Sequence, residues 1–299
     1  MRGRNGPTGF RRPAAFAAAA ASFLLLVAGC SNPLPGSVAK APVLEVTTAL
    51  YPLAEAAQLI GQNKVRVSDV VPDGVNPFTY APSAAQITAI RHAGLVLEIG
   101  GGFQTSFETA ATGAPAVASL RTVAPPGGSP YVWLDPATMR RAVNAAAAAM
   151  EKADPAAAAL FRRNATSLDA EISSLGIDYS STLSACPGTV LVTPDNAFAT
   201  MAASYGRRTI VMGPAPSAAQ VTAAARTVQQ VTSTPVIAEP WVDDDGVSAV
   251  ATAAHISLRT LDTLAGVPAG GWPSGGNYFS LMEQNLGTLS SLLGCGPAQ

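Results

Sequence analysis

Charge is scarce in this sequence: Asp, Glu, Lys and Arg make up 12% of its 299 residues, about half the roughly 25% usual for soluble domains. Alanine fills many positions that elsewhere carry Lys or Glu. No basic stripe is present, so the chain lacks the electrostatic footprint of a nucleic-acid binder. Histidine occurs only twice, as His92 and His255, too few for a histidine-rich loop. Enzyme signatures are missing as well. There is no Gly-x-Ser-x-Gly elbow, no His pair of a metal hydrolase and no phosphate-cradling glycine loop ahead of a helix. Gly100–Gly102 follows an apolar run and reads as a turn. The chain is therefore not expected to be an enzyme.

Apolar residues are plentiful at 48%, ample for a packed core. Arg2, Arg4, Arg11 and Arg12 precede the apolar run Ala14 to Gly29 with no acidic residue between them, and residues 1–29 read as a signal peptide. The run is too short for a transmembrane span, which needs about 20 apolar residues. It ends in Leu26-Val-Ala-Gly-Cys30, which resembles the lipobox of bacterial lipoproteins. That resemblance implies lipid on Cys30 and anchorage on the outer face of the cell membrane. Residues 30–42 read as a Pro- and Gly-containing tether. Arg11-Arg12 leaves the general and the twin-arginine export routes both open. Without the leader, 14 basic side chains face 19 acidic ones, a net charge of −5. Cys186 and Cys295 are then the remaining cysteines, in a compartment where they can pair.

Short β-branched runs alternate with helical patterns, the signature of parallel βα units. Val43–Leu50, Val65–Val71, Leu95–Ile99 and Ala116–Leu120 read as strands, with helices over Pro52–Gln62 and Ser83–Ala93. A second series follows at Thr189–Thr193, Thr209–Met212, Val236–Ala238 and Ile256–Leu261. Its helix Ser217–Gln230 turns Val221, Ala224, Ala225 and Val228 to one face. Between the series, Asp135-Pro136 and Asp154-Pro155 each place an acidic cap before a proline at the first helical position. The second of these helices spans roughly 25 residues, or nearly 40 Å. The expected fold class is α/β, with two lobes, each a mostly parallel sheet flanked by helices, joined by a long bridging helix with the ligand cleft between them. The expected organisation is residues 43–134 for the first lobe, 135–184 for the connecting helices and 185–299 for the second lobe.

Four segments in order resemble the metal-type solute-binding proteins of bacterial ABC importers, the family that delivers zinc or manganese to a membrane permease. Val71-Pro-Asp-Gly-Val-Asn-Pro-Phe-Thr-Tyr-Ala-Pro-Ser83 is similar to that family's "PxGxDPHxYEPS" loop, and Tyr131-Val-Trp-Leu-Asp-Pro136 to its "HxWLDP". Asp154-Pro155 with Phe161 and Asn164 resembles the start of its connecting helix. Asn277-Tyr-Phe-Ser-Leu-Met-Glu-Gln-Asn-Leu286 resembles its "YxxxMxxNL" helix. The resemblance implies a lipid-anchored, monomeric binding protein, a permease partner and a divalent metal cargo, zinc or manganese.

The departure lies in the ligands. The resemblance places the family's three metal-binding histidines at Phe78, Tyr131 and Pro194, and its carboxylate at Asp262. A phenyl ring and a proline offer no lone pair, and a phenol with an ordinary pKa near 10 is a poor ligand at neutral pH. The expected zinc site is thus altered or lost. Asp262, Glu239 and Asp195, with Asn196, are the oxygen donors left for a hard ion such as manganese, magnesium or calcium. His92 and His255 each end a helix, where a capping role is expected. Asp243–Asp245 reads as a solvated helix start. Two other readings remain: a binding protein for a non-metal ligand, with Phe78, Tyr131 and Trp133 lining the cleft, or an accessory lipoprotein with no small ligand.

Overall fold

The computed structural model describes residues 43–272 and 275–295. The expected signal peptide and tether, with Cys30, lie outside the described residues. Strands β1 (Leu44–Thr48), β2 (Val65–Asp69), β3 (Leu95–Glu98) and β4 (Val117–Ser119) form one sheet in the order β2-β1-β3-β4. Every pairing in it is parallel. In the second lobe β5 (Val190–Thr193) pairs β6 (Arg208–Val211), and β7 (Ile237–Ala238) pairs β8 (Arg259–Thr260), again in parallel. A parallel bridge from Val192 to Val236 joins the two pairs, giving the order β6-β5-β7-β8 and the first sheet's topology over again.

Helices α1 (Tyr51–Gly61), α2 (Ala84–His92) and α3 (Thr105–Ala111) belong to the first lobe. The connecting helices are α4 (Pro136–Ala153) and α5 (Ala158–Ser184), and α6 (Ala199–Ser204), α7 (Ala218–Gln230), α8 (Asp245–Ala254) and α9 (Tyr278–Leu292) follow. The repetition of topology has a local counterpart in sequence. Ala81-Pro-Ser-Ala-Ala-Gln-Ile-Thr-Ala89 and Ala215-Pro-Ser-Ala-Ala-Gln-Val-Thr-Ala223 differ only at Ile87 and Val221. Each stretch follows the second strand of its lobe and opens a helix with a Ser/Gln capping box, Ser83 with Gln86 and Ser217 with Gln220.

Asp135 caps α4 as its sequence implies, its carboxylate accepting from Thr138 N at 2.8 Å with Pro136 at the first helical position. Asp154 does not repeat this. It closes α4, and α5 starts after a turn whose capping residue is Ala157. The Asp154 side chain accepts instead from Ala156 N inside that turn. Strands β7 and β8 keep two residues each of the longer runs expected over Val236–Ala238 and Ile256–Leu261. Helices α3 and α6, seven and six residues long, are too short to reveal a 3.6-residue period in sequence.

One apolar core runs through both lobes, from Val46 and Leu97 through Trp133, Phe161, Ile172 and Tyr179 to Leu191, Ile237 and Leu281. A smaller cluster around Ile90 and Phe107 lies on the other face of the first sheet, and one around Val192, Val247 and Val250 on the other face of the second. Helix α5, with 27 residues, is about 40 Å long. It buries Phe161, Leu168, Ile172, Leu175 and Tyr179 along that shared core, and the Tyr179 hydroxyl donates to the Met282 carbonyl at 2.7 Å.

Cys186 and Cys295 are disulfide-bonded with Cα atoms 4.0 Å apart. The bridge encloses the second lobe through a sequence separation of 109, long enough for loop closure to remove about 5 kcal/mol of unfolded-state entropy. Cys295→Ser is accordingly expected to lower the unfolding free energy by roughly 2–4 kcal/mol, measured by guanidinium denaturation of both proteins under non-reducing conditions. Equal midpoints would remove the bridge from the stability of the fold.

Candidate functional site: the cleft between the lobes

Two first-lobe loops present aromatic rings to the cleft. The loop after β2 bends at Gly74, whose φ of +78° suits glycine. It is then fixed by Asn76, whose Oδ1 accepts from Phe78 N at 2.9 Å. The loop after β3 passes through Gly100, Gly101 and Gly102, all at positive φ. The Glu108 carboxylate accepts from Gly102 N and Gln104 N at 2.8 and 2.9 Å. The buried Gln104 amide donates to the carbonyls of Ala49 and Pro77, which ties this loop to the one carrying Phe78.

The result is a four-ring wall centred on Phe103. Its ring lies 5.4 Å from Phe78, 5.1 Å from Tyr131 and 6.2 Å from Trp133, all edge to face. Tyr131 also meets Phe78 at 5.6 Å and Trp133 at 5.5 Å. Such pairs contribute about 0.5–1.5 kcal/mol each beyond the area they bury. Sequence reading named Phe78 and Tyr131 and missed Phe103 and Gln104; Trp133, expected to line the cleft, is instead fully buried with its indole bonded to the Thr263 carbonyl. The signal was available, since three consecutive glycines free the backbone to place whatever residue follows.

Carboxyls line the facing side. The Tyr131 hydroxyl crosses the cleft to donate to Asp195 Oδ2 at 2.7 Å. Asp195 Oδ1 accepts from Ala197 N, fixing the carboxylate just beyond the end of β5. Glu239, directly after β7, is 4% exposed. Burial, and after it the neighbouring Asp195 charge, push its carboxyl up to about 10. Among the described residues no N–H or O–H reaches either Glu239 oxygen. With no donor to satisfy an ionised carboxylate, Glu239 keeps its proton beside the Asp195 carboxylate. The Tyr131 phenol is likewise raised, first by burial and then by Asp195 and Glu239, and it remains a donor at neutral pH.

The other candidates are engaged elsewhere. Asp262 Oδ1 accepts from Leu264 N at 2.7 Å and Oδ2 from the Trp272 indole at 3.2 Å. Its backbone is held by both ends of the Asn285 amide. Pro194 is buried, with its carbonyl accepting from Gly213 N. Asn196 is exposed and makes no side-chain contact with Asp195 or Glu239 among the hydrogen bonds of the described residues. His92 sits in the last turn of α2 with a ring nitrogen 2.7 Å from the Thr88 carbonyl, and His255 caps α8 at φ +58°. Asp243 accepts from Asp245 N at the start of α8.

The structure thus brings together Phe78, Tyr131, Asp195 and Glu239. It does not bring Asp262 to them through any side-chain hydrogen bond. Zinc wants four nitrogen, sulfur or oxygen donors with free lone pairs. Among the described residues no three His, Cys, Asp or Glu side chains are grouped to hold a metal ion. With Phe78 and Pro194 offering no donor, Tyr131 donating and both Asp262 oxygens bonded, the residues here do not fit a zinc centre of that kind.

The family described as ZnuA, "Zinc-uptake complex component A periplasmic", matches residues 46–292. The "High-affinity zinc uptake system protein ZnuA" of Bacillus subtilis (strain 168) is 26% identical over 91% of this chain and 95% of its own length. A "Putative metal-binding protein" of Treponema pallidum (strain Nichols) is 26% identical over 60% of this chain, and the match spans 65% of that relative. Among solved structures, the periplasmic zinc-binding protein TroA from Treponema pallidum superposes with a TM-score of 0.72 at 22% identity, covering 84% of this chain and 99% of that one. The solute-binding protein FpvC of Pseudomonas aeruginosa in complex with Mn2+ gives 0.71 at 23% identity, covering 84% and 98%. At these identities the structures show a common two-lobed fold.

The raised Glu239 carboxyl has a pH signature. An unfolded chain loses this proton near 4.5, whereas the folded chain keeps it to about 10. The folded state therefore binds more protons across that window, and stability falls as pH rises through it. Glu239→Gln is expected to be more stable than the parent by up to about 5 kcal/mol at pH 8 and to match it near pH 4. Urea denaturation at both pH values measures this, and a parent protein as stable at pH 8 as at pH 5 would contradict it.

Proposed function

Since the chain belongs to the ZnuA family, zinc-uptake complex component A, we propose that it is a lipid-anchored solute-binding protein of a metal-type ABC importer whose zinc site has been altered. Its cargo would be met in the cleft and handed to a membrane permease by a monomeric, extracytoplasmic protein anchored through Cys30. The names of its relatives support the class of cargo, and FpvC structures with Ni2+ and with Mn2+ have the same fold. Among the described residues no helix is long and apolar enough to cross a membrane; in this reading attachment rests on lipid at Cys30, which ends a segment similar to a lipobox.

The observation that carries the altered site is the Tyr131–Asp195 hydrogen bond across the cleft. In this reading Phe78, Tyr131, Pro194 and Asp262 occupy the positions of the family's metal ligands. Where imidazoles would share a cation with a carboxylate, a phenol donates a hydrogen bond to one. The aromatic wall keeps the surroundings dry, which raises the cost of bringing in a dehydrated ion. Asp195 and Glu239 are the oxygens left to a hard cation, which would have to displace the proton Glu239 retains. The same wall favours a second reading, in which the cleft takes a non-metal ligand that stacks on the rings.

The purified mature protein is expected to carry no stoichiometric zinc by elemental analysis and to show no tight zinc binding by calorimetry. Phe78→His, Tyr131→His and Pro194→His combined should create micromolar zinc affinity, once circular dichroism shows that the variant folds. A folded triple variant that ignores zinc sinks the assignment of these positions, and tight zinc binding by the parent sinks the altered site. Separately, Cys30→Ser is expected to move the protein from the membrane to the soluble fraction. Unchanged membrane recovery would end the lipid-anchor reading.

A further inference from the structure

The lobes are pinned to each other at the lip of the cleft by direct protein contacts. Gly74 N donates to the Val267 carbonyl at 2.8 Å, and Tyr51 N to the Ala265 carbonyl at 3.3 Å. A Cβ on Gly74 would stand 2.7 Å from that of Ala269, so a glycine is what allows the two loops to close on each other. Asn76 adds a third tie, its Nδ2 donating to the Trp241 carbonyl at 2.7 Å. Trp241 is not a glycine yet holds φ at +75°, a strained conformation that persists only where its surroundings enforce it. It lies two residues beyond Glu239.

Asn76 uses both ends of its side chain. Its Oδ1 holds Phe78 N within the first lobe, while its Nδ2 reaches Trp241 in the second. One planar amide therefore fixes the ring-bearing loop and the segment after Glu239 in a single geometry. We infer that Asn76 is a positioning residue that couples the placement of Phe78 in the cleft wall to closure of the lobes, so that its amide serves as a latch between them. Opening the lobes must release the amide from one side, and any cargo entering the cleft works against this latch. The inference takes the cleft as the cargo site, in line with the proposed function. Its test uses no metal, however, so its failure leaves that reading standing.

The two ends of the amide can be separated by substitution. Asn76→Asp keeps an oxygen for Phe78 N and loses the donor to Trp241. Asn76→Ala loses both. Amide hydrogen exchange followed by NMR on the metal-free mature protein reads the two contacts independently, through Gly74 and Tyr51 for closure and Phe78 for the loop. In Asn76→Asp, the Gly74 and Tyr51 amides are expected to lose about tenfold in protection while Phe78 stays within about twofold of the parent, well under the loss of one hydrogen bond. In Asn76→Ala all three should lose protection. Core amides of α5 such as Ile172 should be unchanged in both variants, which distinguishes a released latch from general destabilisation. The inference is overturned if Gly74 and Tyr51 exchange as slowly in Asn76→Asp as in the parent. It is overturned equally if Ile172 loses protection in step with them, or if Phe78 is as labile in Asn76→Asp as in Asn76→Ala.

Discussion

The Trp133 indole sets the terms for everything around it. The residue is fully buried, and an indole N–H removed from water must find an acceptor or forfeit a hydrogen bond's worth of solvation. Its acceptor is the Thr263 carbonyl of the other lobe at 2.7 Å. The Trp133 carbonyl in turn accepts from the buried Tyr278 hydroxyl of α9. Both lobes and the last helix are thereby registered on one residue, and the apolar core continues through it without a break. Two residues earlier, Tyr131 inherits that placement, which is why its hydroxyl meets Asp195 at a well-defined distance.

The chemistry of the cleft follows from burial combined with charge. Aromatic rings from the first lobe remove water from a place where the second lobe supplies carboxyls. In such surroundings two neighbouring acids cannot both ionise cheaply, and Glu239 keeps its proton. Asp195 is satisfied by the Tyr131 hydroxyl and Ala197 N, while Glu239 stays neutral by keeping its proton. Asp262 is satisfied separately by Leu264, Trp272 and Asn285, so its role in this structure is to fold the segment that faces the first lobe.

Much of this architecture was legible in the sequence because it is written locally. The β-branched runs of β1, β3 and β5 and the Asp135-Pro136 cap signal their elements within a few residues. Asp154-Pro155 misled because an acid before a proline suits a turn between helices as well as a helix start, and only packing chooses between them. Phe78 and Tyr131 were found through resemblance in their loops, whereas Phe103 belongs to the wall through contacts that no local pattern encodes. Glu239 could be placed at the end of a strand, but its unpaired, protonated state depends on Asp195 arriving from another strand. The near-identical stretches at Ala81–Ala89 and Ala215–Ala223 were in plain view. They mark equivalent places in two sheets of one topology.

The disulfide does more than restrain an unfolded chain. Cys186 and Cys295 bracket the whole second sheet with α6 to α9, so that half of the molecule is a covalently closed ring entered from the first lobe at a single point. A protease cutting one exposed loop inside the ring, such as the turn at Gly206, leaves both fragments joined through sulfur. The nicked molecule keeps the mass of the intact one until it meets a reductant. Damage to the second lobe would thus be borne without shedding a piece, whereas a cut between the lobes would separate them covalently at once.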